Sequence, residues 1–362
     1  MGRLLHRRAL EECSEVGFAR ALRSAAPEVL FEGKSSKGNG CVRVTRYGTT
    51  ASTWLALTFD DSQQGLTLES NPTEPCFEYV RTMVASAVGF AGLAGQGSSP
   101  RRVLCIGLGA GAMPAFLAHA LPGAAVQVVE WDPLIIDVTA RVLRVHFALL
   151  TSVEELLLPR AATPPPRPFA VAEGDGGEAV RLLAAAVAEG SQPGASLLLL
   201  DAFDGDGKIP AHLRAEAFLA ACGRALAPDG LLVCNLFNGP AESRTRREMA
   251  FYARLLHTHV GPVWSVKVQA QQTNVILVAA RRGSRLAAGP GPTREALVAA
   301  TRAAALAGRW SFDGAELVGR MFRLVVRAAG VAETVPGRLV AWPPEDSAAD
   351  SFASDSDSFA RD

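Results

Sequence analysis

Three acidic residues stand where apolar runs end. Glu130 ends the apolar run of "AVQVVEWD", Asp175 closes "FAVAEGD", and Asp201 ends the leucine run of "SLLLLDAF", with Asp204 and Asp206 just beyond in "DAFDGDGKIP". Upstream, "GLGAGAMP" follows the apolar run "RVLCIG" and places glycines at 107, 109 and 111. Glycine permits a tight turn and a close approach of backbone to ligand where a Cβ would clash. The spacing G-x-G-x-G differs from the G-x-G-x-x-G dinucleotide fingerprint, and a strand-to-helix turn needs glycines for structural reasons as well. Glu130, roughly 20 residues after the turn, is placed to accept hydrogen bonds from both hydroxyls of a ribose. Its plainer reading is a helix N-cap or a solvated strand end, but Asp132, just ahead of Pro133, fills the capping place better. Asp175 could hold an adenine amino group or cap the next helix, and both readings stand. Carboxylates that end neighbouring strands of a parallel sheet converge on its carboxyl edge, where open α/β sheets place their ligands. The set as a whole suits an adenosine-type ligand with a cationic portion.

The elements that must position these residues alternate. "RVLCIG", "AVQVVEWD", "FAVAEGD", "SLLLLDAF" and "GLLVCNLF" read as strands, separated by the helical stretches "MPAFLAHAL", "PLIIDVTARVLRVHFALL", "GEAVRLLAAAVAEG" and "AEAFLAACGRALAP". A further helix, "RREMAFYARLLHTHV", leads to two successive strands, "WSVKVQ" and "NVILVAAR". Regular strand–helix alternation predicts a parallel sheet covered on both faces, and the closing pair without a helix predicts an antiparallel hairpin. Ahead of this block, residues 28–72 read as short strands ("EVLFEGKS", "CVRVTRYG", "TWLALTFD", "GLTLES") that form a small antiparallel element leaning on the larger α/β block. A helix with Phe77, Val80, Met83, Val84 and Val88 at helical spacing joins the two, so that the larger α/β unit spans 73–283. Residues 1–27 are read as an amphipathic helix, 284–343 as a helical appendage and 344–362 as a disordered, acidic, Ser-rich tail.

Bulk composition narrows the classes. With 36 basic and 36 acidic residues, the net charge is zero, so bulk electrostatics provide no hold on nucleic acid or an anionic membrane. No apolar run approaches the roughly 18–20 residues needed to span a bilayer, and the first residues lack a signal-peptide core. The six cysteines are scattered with no C-x-x-C pair, which points to a reducing compartment and no metal site. The cytoplasm is the expected location, an organelle stroma being the alternative given the Arg-rich start. His146, His257 and His259 are taken as ordinary histidines. His212 sits just past the acidic loop and is a candidate for lining the site, and Trp131 could pack on an adenine face or on the sheet edge. Asn235, in "NLFN", ends the fifth strand at the same edge and carries little weight.

Together, "VLCIGLGAG", "VVEWDPLIIDVTARVL", "EGDGGEAV" and "LLLLDAFDGDGKIPAHLRAEAFLAACGRALAPDGLLVCNLFNG" resemble the spermidine synthase family of polyamine aminopropyltransferases, in its spermidine-synthase-like branch. "SQQGLTLESNPTEPCFEYVRTM" is similar to the family's glutamine-bearing segment and F-x-Y helix, and the likeness covers roughly residues 28–282. The resemblance implies an α/β, Rossmann-like, seven-stranded S-adenosylmethionine-dependent transferase sheet with a small N-terminal β element. It implies that Gly107, Gly109 and Gly111 form the donor turn, that Glu130 holds the ribose, and that Asp175 with Gly176 holds the adenine. Asp201 would be the base that takes a proton from the attacking amine. Asp204 would help to bind that amine, with Tyr79 and Gln64 (or Gln63) closing the site. A polyamine is a string of ammonium groups, so carboxylates and an aromatic wall suit it, and one amine must lose a proton before it can attack. The implied donor is decarboxylated S-adenosylmethionine or S-adenosylmethionine itself, with a small-molecule amine as partner and a homodimer left open.

Two departures bear on the reaction. Family synthases carry an aspartate in the glycine turn that meets the donor's amino tail; here the position is Ala110. The family's shorter D-P segment is replaced by "DGDGKIP", which brings Lys208 near the amine path. Aminopropyl transfer is therefore weighed against methyl transfer from ordinary S-adenosylmethionine to a small molecule or protein. The third option is a non-catalytic binding protein, which would have no need of Glu130, Asp175 and Asp201 together.

Overall fold

The structure is a computed structural model that describes residue 18 and residues 26–49, 52–95, 102–159, 168–203, 208–237, 244–268, 274–327, 330–335 and 338–341. The expected N-terminal helix (Phe18 apart), Asp204, Asp206 and the acidic tail lie outside the described residues. Among the described residues, no helix is long and apolar enough to cross a membrane.

Strands β1 (Glu28–Lys34), β2 (Cys41–Thr49), β3 (Ser52–Phe59) and β4 (Ser62–Leu68) form an antiparallel meander in chain order. In β2, Val42, Val44 and Thr45 are buried, while Cys41, Arg43 and Arg46 are half-buried. In β3, Trp54, Leu55, Ala56 and Leu57 are all buried, because this small sheet has a neighbour on its second face. Helix α1 (Glu78–Leu93) comes next and is buried along most of its length.

The main sheet then builds up in chain order. It begins with β5 (Arg102–Ile106), α2 (Ala112–Ala120), β6 (Ala125–Glu130), α3 (Pro133–Arg141), β7 (Ala148–Leu150), α4 (Val153–Leu157), β8 (Ala170–Glu173) and α5 (Gly176–Ala188). It continues through β9 (Ala195–Leu200), α6 (Ala211–Arg214), α7 (Glu216–Ala225), β10 (Leu226–Phe237), α8 (Arg244–His259), β11 (Val263–Lys267) and β12 (Asn274–Ala280). The central strand order is β8-β6-β5-β9-β10-β12-β11, parallel up to β10 and antiparallel for the last two. Strand β12 inserts between β10 and β11, so the closing hairpin expected from the two uninterrupted apolar runs is present. The order reverses between β5 and β9, and the crevice outside their carboxyl ends is the site such a topology offers a ligand.

The leucines of β9 show why this strand is central. Leu197 and Leu199 enter the core on one face, Leu198 and Leu200 the core on the other, and all four are fully buried. Each such burial is worth about 1.5–3 kcal/mol. Their combined effect fixes where the strand ends and so where Asp201 emerges.

Two expectations are corrected. The helix expected over residues 133–150 ends at Arg141; Arg144 adopts a left-handed φ of 58°, and Ala148–Leu150 pairs with β8 as the edge strand β7. The helical register is broken by that left-handed residue, and the short apolar run after it finds an open sheet edge. The segment expected to be a helical appendage contains α9 (Arg294–Gly308) and α10 (Gly314–Val318), but then turns into strands β13 (Met321–Arg327), β14 (Gly330–Val335) and β15 (Arg338–Ala341). These continue the sheet from β11, giving eleven strands. Helix α9 packs on α1, and the contact is close: a Cβ on Gly89 would stand 2.2 Å from Thr301 Oγ1.

Candidate active site

The turn after β5 uses its glycines for three different reasons. All three have left-handed φ: 99° at Gly107, 52° at Gly109 and 75° at Gly111. At Gly107 a Cβ would also lie 2.4 Å from the Asp201 carbonyl oxygen, because the ends of β5 and β9 nearly touch. Gly111 is the N-cap of α2, and its Cα faces Thr139 and Val145. Around Gly109 there is open space, the nearest atom to a built Cβ being the Gln64 carbonyl oxygen at 3.8 Å. The backbone there faces the cleft.

Glu130 is buried at the end of β6. Its Oε2 accepts the Leu108 N–H at 2.7 Å and its Oε1 the Asp132 N–H at 2.9 Å. Burial pushes its pKa up, while these backbone hydrogen bonds oppose that rise. Glu130 thus shapes the glycine turn and borders the cleft together with Gly107 and Gly109. Asp132 does cap α3, accepting the Leu134 N–H at 2.9 Å. Its other oxygen accepts from Ser35 Oγ at 2.5 Å and Asn39 Nδ2 at 2.8 Å, and so ties the β1–β2 loop to the end of β6 beside the cleft. That loop also brings Lys37, whose ammonium lies 4.0 Å from the centre of the exposed Trp131 ring and 3.6 Å from Glu173. Trp131 therefore lies at the cleft rim under a cation.

Asp175 serves as a cap and as a wall of the cleft. Its Oδ1 accepts the Glu178 N–H at 2.8 Å, capping α5, and its Oδ2 pairs with His212 Nε2 at 2.7 Å. The His212 hydrogen bond, helped by Glu178, holds its pKa below the ordinary aspartate value against the effect of burial. Gly176 is glycine for packing: a Cβ there would meet Ile106 Cγ2 at 2.3 Å.

Asp201 lies at the floor of the same cleft. Burial raises its pKa to about 6, although hydrogen bonds from Asn235 and Tyr79 stabilise the ionised form. Asn235 Nδ2 donates to its Oδ1 at 3.0 Å. Gln64 lines the cleft, its side-chain amide donating to Ser62 Oγ at 3.1 Å, whereas Gln63 is exposed. The cleft has a volume of about 620 Å³ and brings together Gly107, Gly109, Glu130, Asp175, Gly176, Asp201, Gln64, Tyr79 and His212. Gly111 stands behind the turn. Ala110 is buried and faces Gly65 of β4.

A second cavity, of about 330 Å³, shares Phe203 with the first. Leu236, Phe237, Met249 and Tyr252 wall it, with Lys208, Arg214 and Glu248 among its charged residues. Lys208, singled out from sequence, therefore borders the second cavity and not the first cleft. Sequence reasoning did not find Lys37, Asn39, Arg181 or Asn274, and undervalued Asn235; the only local signal was that Asn235 ends a strand at the active edge. Among the described residues, no group of three or more His, Cys, Asp or Glu side chains is placed to hold a metal ion.

The arrangement is a cleft lined by the carboxylates of Glu130 and Asp175 and by the half-buried carboxylate of Asp201, whose pKa is raised to about 6. No family model matches the chain. A polyamine aminopropyltransferase from Chromobacterium violaceum is 30% identical over 231 residues, covering 64% of this chain and 74% of that protein. One from Vibrio vulnificus is 28% identical over 162 residues, covering 45% of this chain and 44% of that protein. In fold, the chain is similar to the crystal structure of a probable spermidine synthase from Corynebacterium glutamicum, with a TM-score of 0.52 and 20% identity over 76% of this chain and 87% of that one. The transferase sheet and the sustained identity to the Chromobacterium protein agree, and the chain belongs to the polyamine aminopropyltransferase family.

Proposed function

We propose that the protein transfers an aminopropyl group from decarboxylated S-adenosylmethionine to a di- or polyamine. One observation carries this reading: Asp201, hydrogen-bonded by Tyr79 and raised to a pKa of about 6, lines the first cleft close in sequence to Phe203, the residue that this cleft shares with the second cavity. At neutral pH its carboxylate is ionised, so it attracts an ammonium group and accepts a proton from it. The freed amine then attacks the donor carbon next to the sulfonium. A new C–N bond forms, the C–S bond breaks with its electrons going to sulfur, and methylthioadenosine leaves. The sulfonium is already a good leaving group, so orientation, desolvation and one base suffice. In this reading Glu130 holds the ribose, Asp175 the adenine and Asp204 the incoming amine, and Gln64 and Tyr79 close the site.

A second reading, methyl transfer from ordinary S-adenosylmethionine, is favoured by one observation. Ala110 supplies no carboxylate for the donor's ammonium tail, and its methyl is turned onto Gly65. Calorimetry with the two donors, with and without putrescine or spermidine, separates the readings. Aminopropyl transfer requires tight binding of the decarboxylated donor and a response to the amine. Binding of the carboxylated donor alone, with no amine response, overturns it.

A further inference from the structure

Behind Asp201 runs a chain of two buried amides. Asn235 Nδ2 donates to Asp201 Oδ1 at 3.0 Å, and Asn274 Nδ2 donates to Asn235 Oδ1 at 2.9 Å. Asn235 is 2% exposed and Asn274 7%. The sheet builds this line. Strand β10 runs parallel to β9, with Cys234 opposite Leu200, and antiparallel to β12, with Phe237 opposite Asn274. The ends of β9 and β10 and the start of β12 therefore lie side by side at the carboxyl edge. The insertion of β12 between β10 and β11 is what brings Asn274 there.

The chain has a direction. An amide has a donor end and an acceptor end, and Asn274 engages the acceptor end of Asn235. A rotated Asn235 amide would turn its oxygen toward the Asp201 carboxylate and its nitrogen toward the Asn274 nitrogen, and both contacts would be repulsive. Asn274 thus locks Asn235 with its N–H toward Asp201.

We infer that Asn235 and Asn274 are positioning residues for the catalytic carboxylate: they bind one oxygen of Asp201 with a neutral donor, orient the other toward the acceptor amine, and set the basicity of the group. The neutrality matters. A lysine or arginine at this place would pull the carboxylate toward a low pKa and leave it a poor base, while an apolar side chain would leave burial opposed by Tyr79 alone and raise the pKa of Asp201 further. An amide gives an intermediate result. Among the described residues, the other titratable groups acting on Asp201 are Tyr79 from α1, which donates to it, and Cys105 from β5, whose thiol burial and Asp201 both push upward so that it stays neutral. Among the described residues, then, the amide chain and Tyr79 oppose burial at this carboxylate.

The inference rests on Asp201 being the base, and its test does not need turnover. Carbon-13 NMR of the full chain labelled at aspartate carboxyls, with the Asp201 signal identified by its loss in Asp201→Asn, follows the titration directly. The Asn235→Ala variant moves the midpoint up by about one unit, the usual scale of a hydrogen bond to a carboxylate. Asn274→Ala, a milder change at a strand start, moves it in the same direction by less, and adds nothing when combined with Asn235→Ala. An unmoved midpoint in folded Asn274→Ala and Asn235→Ala proteins overturns the inference, as do fully additive shifts. A purely structural role would lower melting temperatures and leave the midpoint in place. If the shifts appear but no aminopropyl transfer is found, the amide chain stands and the reaction assignment fails.

Discussion

Gly65 of β4 lies flat against Ala110 of the glycine turn: a Cβ built on Gly65 would stand 2.4 Å from the Ala110 Cβ and 3.2 Å from its backbone nitrogen. The small N-terminal sheet is therefore seated on the glycine turn itself. Gly65→Ala is expected to destabilise the protein by about 1–3 kcal/mol, the usual cost of overpacking. Pairing it with Ala110→Gly should restore most of that loss. Denaturant titration of the two single variants and the double variant measures the coupling, and a neutral Gly65→Ala would show that the contact is not formed.

In the proposed reaction the pH profile follows the ionisation of Asp201. Burial raises its pKa from 3.8 to about 6, so the base form is populated above that value. Accordingly, kcat/KM should rise with pH through about 6 and level off above it. The stability consequence has the opposite sign. The folded state favours the protonated carboxyl, so this group's stability contribution is full below the unfolded pKa and is lost as pH rises through about 6, by up to about 3 kcal/mol. Asp201→Asn should remove that loss, and melting curves at pH 5 and pH 8 would show it.

Glu130 faces two backbone N–H groups, at 2.7 and 2.9 Å. Glu130→Gln keeps the volume but turns an NH2 group onto one of those donors, leaving a buried polar group unsatisfied at a cost of about 1–3 kcal/mol. It should also weaken donor binding at least about tenfold, the scale of one lost charge-assisted hydrogen bond. Calorimetry and denaturant titration read the two effects separately. Unchanged donor affinity would remove Glu130 from the ribose site.

Asp175 combines a cap with a cleft wall, and serine separates the two. Asp175→Ser keeps an N-cap acceptor for the Glu178 N–H and should hold stability near that of the parent, while Asp175→Ala should cost about 1 kcal/mol. Both should weaken donor binding if the carboxylate meets the adenine. Equal affinities in parent and Asp175→Ser would leave Asp175 only its capping role.

The residues legible in the sequence were those whose reasons are local. Glycines at 107, 109 and 111 punctuate a strand-to-helix turn, and the leucines of 197–200 announce a strand buried on both faces. Glu130 and Asp201 could be placed because each ends such a strand. Asn235 and Asn274 were not legible as a pair: they are 39 residues apart, and only the antiparallel insertion of β12 makes them neighbours. Lys37 and Asn39 reach the cleft through the anchoring of their loop on Asp132, a long-range contact with no local pattern. The overlong helix after Pro133 failed because apolar periodicity continued past Arg144, whose left-handed backbone breaks the helix and leaves no mark in that pattern. Strands β13–β15 were missed because the alternation of a sheet-edge extension is weak beside the helical pattern of 294–308.

The most direct test of the account is product identity. The protein is incubated with decarboxylated S-adenosylmethionine and putrescine or spermidine, and in parallel with ordinary S-adenosylmethionine and the same amines. The account predicts amine-dependent methylthioadenosine from the decarboxylated donor, reduced about 10²–10⁴-fold in Asp201→Asn while donor affinity is largely kept. Formation of S-adenosylhomocysteine from the ordinary donor, with no methylthioadenosine from the other, would contradict it.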